Sequence, residues 1–313
     1  MPEFQGYDYG PAHLQHGMDH PHYEWSPLPS RPTLTWPGAA PLAVGALVLL
    51  EHYEWYPPED AYGLRQPSGG LMKLPGPDYV QLTHREYGHR VGVFRLLDAL
   101  EGAGIPPTVA VDALTVEGYP WLVDHLHERG CELVAHGVAA SRLITSKMSD
   151  EQEREVIGLA VDALETRTGT RPRGWYSPEG VESYRTPQLV AEAGLDYVLD
   201  WPNDEQPYAM TVGTGRLSAL PLTLDLDDEH ALWTRRASLD SWVGMIRDTA
   251  NRLHSDGADT GRLLMLGLRP WLTGQPFRIR RLREALAHIS TLSGVFAAHG
   301  AGLVDAERRG RSN

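Results

Sequence analysis

The first clear order in the chain is an apolar run from Leu42 to Leu50 that breaks off at the polar string Glu51-His52-Tyr53-Glu54. Residues 1 to about 40 are rich in Pro, His and Tyr and follow neither the two-residue period of a strand nor the 3.6-residue period of a helix, which predicts an arm laid over a domain. A continuous apolar run of strand length is what a parallel strand covered on both faces requires. Beyond it, residues 59–80 read as a long loop, 91–100 have helical spacing, and Thr108 to Val111 reads as the next strand. A helix over Trp121 to Glu128, stopped by Gly130, leads into a strand over Cys131 to Ala135. Ser149 and Gln152 form a capping box before a helix running to about Thr166 and closed by Gly169. Thr186 is the predicted N-cap of another helix, with Pro187 at its first position. A short strand at Tyr197 to Leu199, a longer one at Leu263 to Leu268 and a basic helix from Arg278 to Ile289 follow. Such alternation predicts an α/β fold with a parallel sheet: an arm over 1–40, one (β/α) barrel domain over 41–306 and a tail over 307–313.

Composition narrows the partners. Across 313 residues, Lys+Arg 28 against Asp+Glu 41 give a net charge of -13, which repels phosphate backbones and anionic lipid, so nucleic acid and membrane are not expected partners. The longest apolar run falls well short of the roughly 20 residues that span a bilayer, and no signal-peptide pattern opens the chain, so a cytoplasmic protein is expected. The single cysteine, Cys131, begins an apolar strand and reads as core. His13, His16, His20 and His22 cluster in the arm, a stretch that more often binds metals adventitiously than in a built site.

The strands end in polar or aromatic clusters: Glu51-His52-Tyr53-Glu54, His136-Gly137, Asp200-Trp201, Asn203-Asp204-Glu205 and Arg269-Pro270-Trp271. In a parallel barrel the carboxyl ends of the strands build the site, so these clusters are expected to converge. On an extended segment Glu51 and Tyr53 point one way, His52 and Glu54 the other. A carboxylate at the edge of an apolar wall suits a general base, and the donors of Arg269 suit an anion clamp. His136, beside a glycine that admits a close neighbour, and Asp200 complete the candidate catalytic set. The stiff string Arg171-Pro172-Arg173-Gly174-Trp175-Tyr176-Ser177-Pro178 suggests a pocket wall with Trp175 stacked on a planar substrate.

In order, Glu51-His52-Tyr53-Glu54, Arg85-Glu86-Tyr87-Gly88-His89-Arg90-Val91-Gly92, His136-Gly137, the Arg171 to Trp175 string, Asp200-Trp201-Pro202-Asn203-Asp204 and Arg269-Pro270-Trp271-Leu272-Thr273-Gly274-Gln275-Pro276 resemble the motifs of the NodB-homology polysaccharide deacetylase superfamily. The resemblance is closest to its allantoinase-like branch and runs from about Arg31 to Leu303. It implies a distorted (β/α) barrel and hydrolysis of a non-peptide C–N bond, with Glu51 as base and Glu54, Tyr56, Arg85, Trp175, Trp201, Asp204, Trp271 and Gln275 as substrate-binding candidates. Two departures stand out. The family's His-x-x-x-His metal pair here keeps His136 but has Ala140, and the Leu-x-Leu-His-Pro string, whose histidine serves as general acid, here reads Leu266-Gly267-Leu268-Arg269-Pro270. A zinc or manganese ion held by His52, Glu54 and His136 is one reading and a metal-free site the other. The expected function is an amidohydrolase acting on an amide, ureide or N-acyl bond of a small polar molecule. The alternatives are an altered deacetylase homologue in a specialised biosynthetic pathway and a non-catalytic binding protein. The arm would suit a homo-oligomer.

Overall fold

In the computed structural model, which describes residues 20–59, 61–62 and 77–311, the apolar run forms β1 (Leu42–Leu50), buried at every position. Along one edge it pairs in parallel with β8 (Arg262–Leu268). Along the other it pairs first with β9 (Val295–Ala297) and then with β2 (Pro107–Val111). The sheet continues through β3 (Glu132–Ala135), β4 (Gly174–Trp175), β5 (Tyr197–Val198) and β7 (Leu217–Ala219), all in parallel, and ends at β6 (Tyr208–Met210), which is antiparallel to β7. The result is a curled, mostly parallel sheet with helices around it, a distorted (β/α) barrel.

The two-residue period of the strands sorts their side chains into two cores. On β1, Leu42, Val44, Ala46, Val48 and Leu50 face outward to the helices. Ala43, Leu47 and Leu49 face the interior with Tyr176, Tyr197, Met265 and Leu303. The outer layer comprises α2 (Val93–Gly102), α4 (Pro120–Glu128), α5 (Asp150–Thr168), α7 (Leu239–Asp256) and α8 (Pro276–Ser290), each lending apolar residues to that core. The Ser149–Gln152 capping box and the left-handed Gly169 bound α5 as expected. The interior core is closed at the amino ends of the strands by Leu34, Trp36 and α9 (Gly300–Gly310).

Two expectations need correction, and one further helix appears. The span 59–80 is not loop throughout: Asp78 accepts from the Gln81 amide and caps α1 (Tyr79–Tyr87), which passes through a π-helical segment, Gly88–Gly92, into α2. A short helix, α3 (Ala113–Gly118), follows β2 directly, capped by Asp112. Thr186 is the first helical residue of α6 (Thr186–Glu192) rather than its N-cap, and its hydroxyl instead accepts from the Ser183 amide. Residues 60 and 63–76 of the expected loop, with His13 and His16, lie outside the described residues. Cys131 is buried, and burial pushes its thiol up to about 11, as a core cysteine should behave.

Candidate active site

Strand parity decides what enters the barrel. Glu51 continues the interior face of Leu47 and Leu49, Asp112 that of Ala110, His136 that of Val134, and Arg269 that of Leu263 and Met265. Because parallel strands end together, all four side chains arrive at one mouth. The His136 Nε2 lies 3.8 Å from Glu51 Oε1, and the Arg269 Nε lies 3.4 Å from Glu51 Oε2. The three are 0%, 3% and 4% exposed for His136, Glu51 and Arg269, so whatever they meet is withdrawn from bulk water.

Glu51 is held by charge more than by hydrogen bonds: neither oxygen accepts one from the protein. Burial would raise its pKa, but Arg269 and His136 outweigh burial and hold the carboxyl below its usual range. The reverse holds for His136, where burial would favour the neutral ring but the Glu51 carboxylate raises the pKa. His136 Nδ1 donates to the Tyr176 carbonyl at 2.7 Å, which turns Nε2 toward Glu51, and the Tyr176 ring stacks against the imidazole. Gly137 sits in the left-handed region with the Pro178 ring so near that a Cβ would approach it to 2.5 Å. The neighbour that the glycine admits is thus a proline side chain.

Asp200 lies beyond His136, accepting from the Ser177 amide at 2.9 Å and hydroxyl at 3.2 Å; burial pushes its carboxyl up to about 7. Asp112 is likewise raised to about 7 by burial, although it accepts from the His52 and Thr115 amides. Both acids influence the His136 charge.

Arg269 is occupied differently from expectation. Its Nη1 reaches both Asp227 oxygens at 2.9 and 2.8 Å, and its Nε lies 2.9 Å from Glu229 Oε2. Its backbone amide donates to Asp228 Oδ2 at 2.8 Å, which also accepts from the Thr273 hydroxyl. Two of the three guanidinium nitrogens, Nη1 and Nε, are therefore engaged by the protein's own acids. The string Asp227-Asp228-Glu229 was missed in the sequence because it follows no strand of detectable length; its only signal was three adjacent acids after an apolar stretch.

Other expected contacts fall elsewhere. Arg85 is buried, its guanidinium carbon 4.2 Å from the Trp271 ring and 5.0 Å from the Tyr53 ring, with Nη2 3.8 Å from Glu229. Its Nε and Nη2 are buried without a hydrogen-bond partner, and its charge favours the ionised forms of Glu51 and Glu229. Gln275 donates to the Trp271 carbonyl. Trp175 faces the outer core and bonds Ser177, so it does not line the mouth, and Tyr56 is exposed. Trp201 packs on His22 and Tyr23 of the arm, and Asp204 pairs with Arg31. Glu54 is engaged by Ser141 and Arg142, while the His52 ring lies 6.0 Å from the Tyr119 ring. His52, Glu54 and His136 thus do not share a centre, because successive strand residues point to opposite faces. Among the described residues, no group of three or more His, Cys, Asp or Glu side chains has the arrangement to hold a metal ion. The Ala140 methyl, where a second histidine would stand, packs against Tyr53 and Leu82.

With this geometry in view, the relatives are informative. A family model described as "Polysaccharide deacetylase" matches residues 77–198, a span containing His136 but neither Glu51 nor Arg269. A Schizosaccharomyces pombe protein described as "Putative polysaccharide deacetylase" is 28% identical over 296 residues, covering 85% of this chain and 90% of the relative. The crystal structure of PuuE allantoinase superposes with a TM-score of 0.80 at 26% identity, covering 90% of this chain and 94% of the other. A Pseudomonas aeruginosa PAO1 structure described as a "probable Polysaccharide deacetylase" matches with a TM-score of 0.80 at 25% identity, covering 90% and 95%.

Proposed function

We propose that this chain, a member of the NodB-homology polysaccharide deacetylase superfamily, hydrolyses a non-peptide C–N bond of a small polar substrate, an amide, ureide or N-acyl group. The observation that carries the reading is the buried Glu51–His136 pair, in which an ionised carboxylate with unused acceptor capacity faces an imidazole whose pKa is raised.

In this reading Glu51 removes a proton from water, and the oxygen adds to the carbonyl carbon. The developing oxyanion lies beside the His136 imidazolium, and as the C–N bond breaks the Nε2 proton passes to the leaving nitrogen. The proton on Glu51 then crosses to Nε2, and the pair is reset. His136 here does the work that the family resemblance gives to the histidine replaced by Arg269. That arginine cannot serve as the acid, because its pKa is raised still further by Asp227, Glu229 and Glu51 against the opposing effect of burial. The low exposure of the pair and the likeness to an allantoinase both favour a small substrate over a polymer.

Divalent metals are typical of the deacetylases in this superfamily. The donors here do not fit one, since the expected ligands point apart and a guanidinium lies among the acids. The test is release of product from a panel of ureides, hydantoins and N-acetyl amines. Wild-type turnover that falls by about 10²–10⁴ in Glu51→Gln and in His136→Ala is expected. Unchanged turnover in both variants defeats the assignment, and no turnover by the wild type across the panel favours the binding-protein alternative.

A further inference from the structure

We propose that the Arg269 guanidinium is the resident cation of this site, standing among Glu51, Asp227, Asp228 and Glu229, and that it makes the site metal-independent. The inference rests on the preceding reading for the location of the site but not for its chemistry.

The environment of Arg269 is that of a bound cation. Oxygens from four acidic residues approach its nitrogens: two from Asp227 at 2.8 and 2.9 Å, Glu229 at 2.9 Å, Glu51 at 3.4 Å and Asp228 at 3.6 Å. The clamp is built into the backbone. Gly267 lies two residues earlier on the same strand face, and a Cβ there would stand 2.4 Å from Asp227 Oδ2, so any side chain would displace the carboxylate that holds the guanidinium. The adjacent backbone amide of Arg269 fixes Asp228 as well. A divalent ion entering this group would have to share it with a fixed positive charge, and burial gives that repulsion little screening. Through its contact with Glu51, Arg269 acts as a positioning residue: it orients the base and favours its ionised form.

Metal content and thermal melting test this without recourse to turnover. The dialysed wild type, titrated with Zn²⁺ and Mn²⁺, is expected to retain well under one equivalent per chain and to show no rise in Tm. Arg269→Ala leaves the acids without their cation. It is expected to melt below wild type in chelator, to take up one Mn²⁺ or Zn²⁺ per chain, and to regain Tm when it does. Recovery of that variant in folded form only with metal counts the same way. Arg269→Lys keeps a positive charge and is expected to exclude the ions. One equivalent of metal bound by the wild type and lost in Glu51→Gln overturns the proposal, as does a folded Arg269→Ala that gains no metal. If Arg269→Ala folds under neither condition, the wild-type titration and Arg269→Lys decide: exclusion of both ions supports the proposal, and a bound equivalent overturns it. Failure of the hydrolysis reading would leave these results standing, whereas metal-dependent turnover by the wild type would overturn the proposal and leave hydrolysis intact.

Discussion

Asp228 shows what it costs to keep so many acids around one mouth. Burial and the neighbouring Asp227 push its carboxyl up to about 8, even though Arg269, Thr273 and the Arg269 amide favour its charge; burial likewise raises Glu229 to about 7. In the unfolded chain both would ionise near pH 4. From about pH 4 to pH 8 the folded state therefore holds protons that the unfolded state has lost, and stability falls as pH rises. His136 acts in the same direction, since its pKa is raised. Glu51 opposes them: with its pKa lowered, it adds stability above the usual carboxylate range and loses it in acid. We expect a lower Tm at pH 8.5 than at pH 6, and a shallower slope in Asp228→Asn, which carries no titrating proton. A slope unchanged by that substitution would show that Asp228 ionises normally. Turnover has its own expected profile: it rises as Glu51 ionises, below the usual carboxylate range, and falls as His136 loses its proton, above the usual histidine range. An alkaline limb below the normal histidine pKa would remove His136 as the acid.

The elements that bring these residues together were unevenly legible. β1, β2, β3 and β8 were readable because each holds consecutive apolar residues, and in β1, β3 and β8 these stop at Glu51-His52, His136-Gly137 and Arg269-Pro270, which the fold turns to one face; Asp112, a single acid after β2, gave no such signal. α1 and the π-helical segment were not, because Arg85, His89 and two glycines interrupt the apolar period there. Those residues serve a contact that no local pattern encodes. A Cβ on Gly92 would stand 2.0 Å from the Pro270 carbonyl oxygen, and one on Gly88 2.9 Å from the Trp271 amide, so the segment lies directly on the turn after β8. That packing seats Trp271 against Arg85. Gly92→Ala is expected to lose about 1–3 kcal/mol in denaturant unfolding by overpacking. Gly158, inside α5 with nothing within 4 Å of its added Cβ, provides the contrast: Gly158→Ala is expected to gain up to about 1 kcal/mol from helix propensity. Equal effects at the two positions would refute the close-contact account.

At the scale of the whole molecule, the anchorage of the segment before the barrel and the proposed chemistry lie at opposite ends of the barrel. Glu51 stands at the carboxyl end of β1, whereas Trp36 lies near its amino end, about 27 Å away along an extended strand of this length. Trp36 is buried against the first residues of β8: its indole donates to the Arg262 carbonyl at 2.9 Å, its ring stacks on Phe296, and a Cβ on Gly261 would come within 2.5 Å of it. The segment before the barrel therefore includes a plug, which aperiodic sequence could not reveal because the plug is formed by single side chains. Arg31 makes a second tie, a two-pronged pair with Asp204 that is largely shielded from solvent. Trp36→Ala is expected to cost about 3–5 kcal/mol in unfolding, and Arg31→Ala about 1–3 kcal/mol through the charge-assisted hydrogen bonds it removes. Neither residue reaches the Glu51 cluster, so the fraction that remains folded should keep wild-type kcat/KM in both variants. Glu51→Gln should do the opposite, removing turnover while leaving a folded barrel. Measuring unfolding and kcat/KM on all three separates the two ends. Loss of kcat/KM in folded Trp36→Ala would mean that the plug and the catalytic mouth are coupled through β1, contrary to the division drawn from their positions.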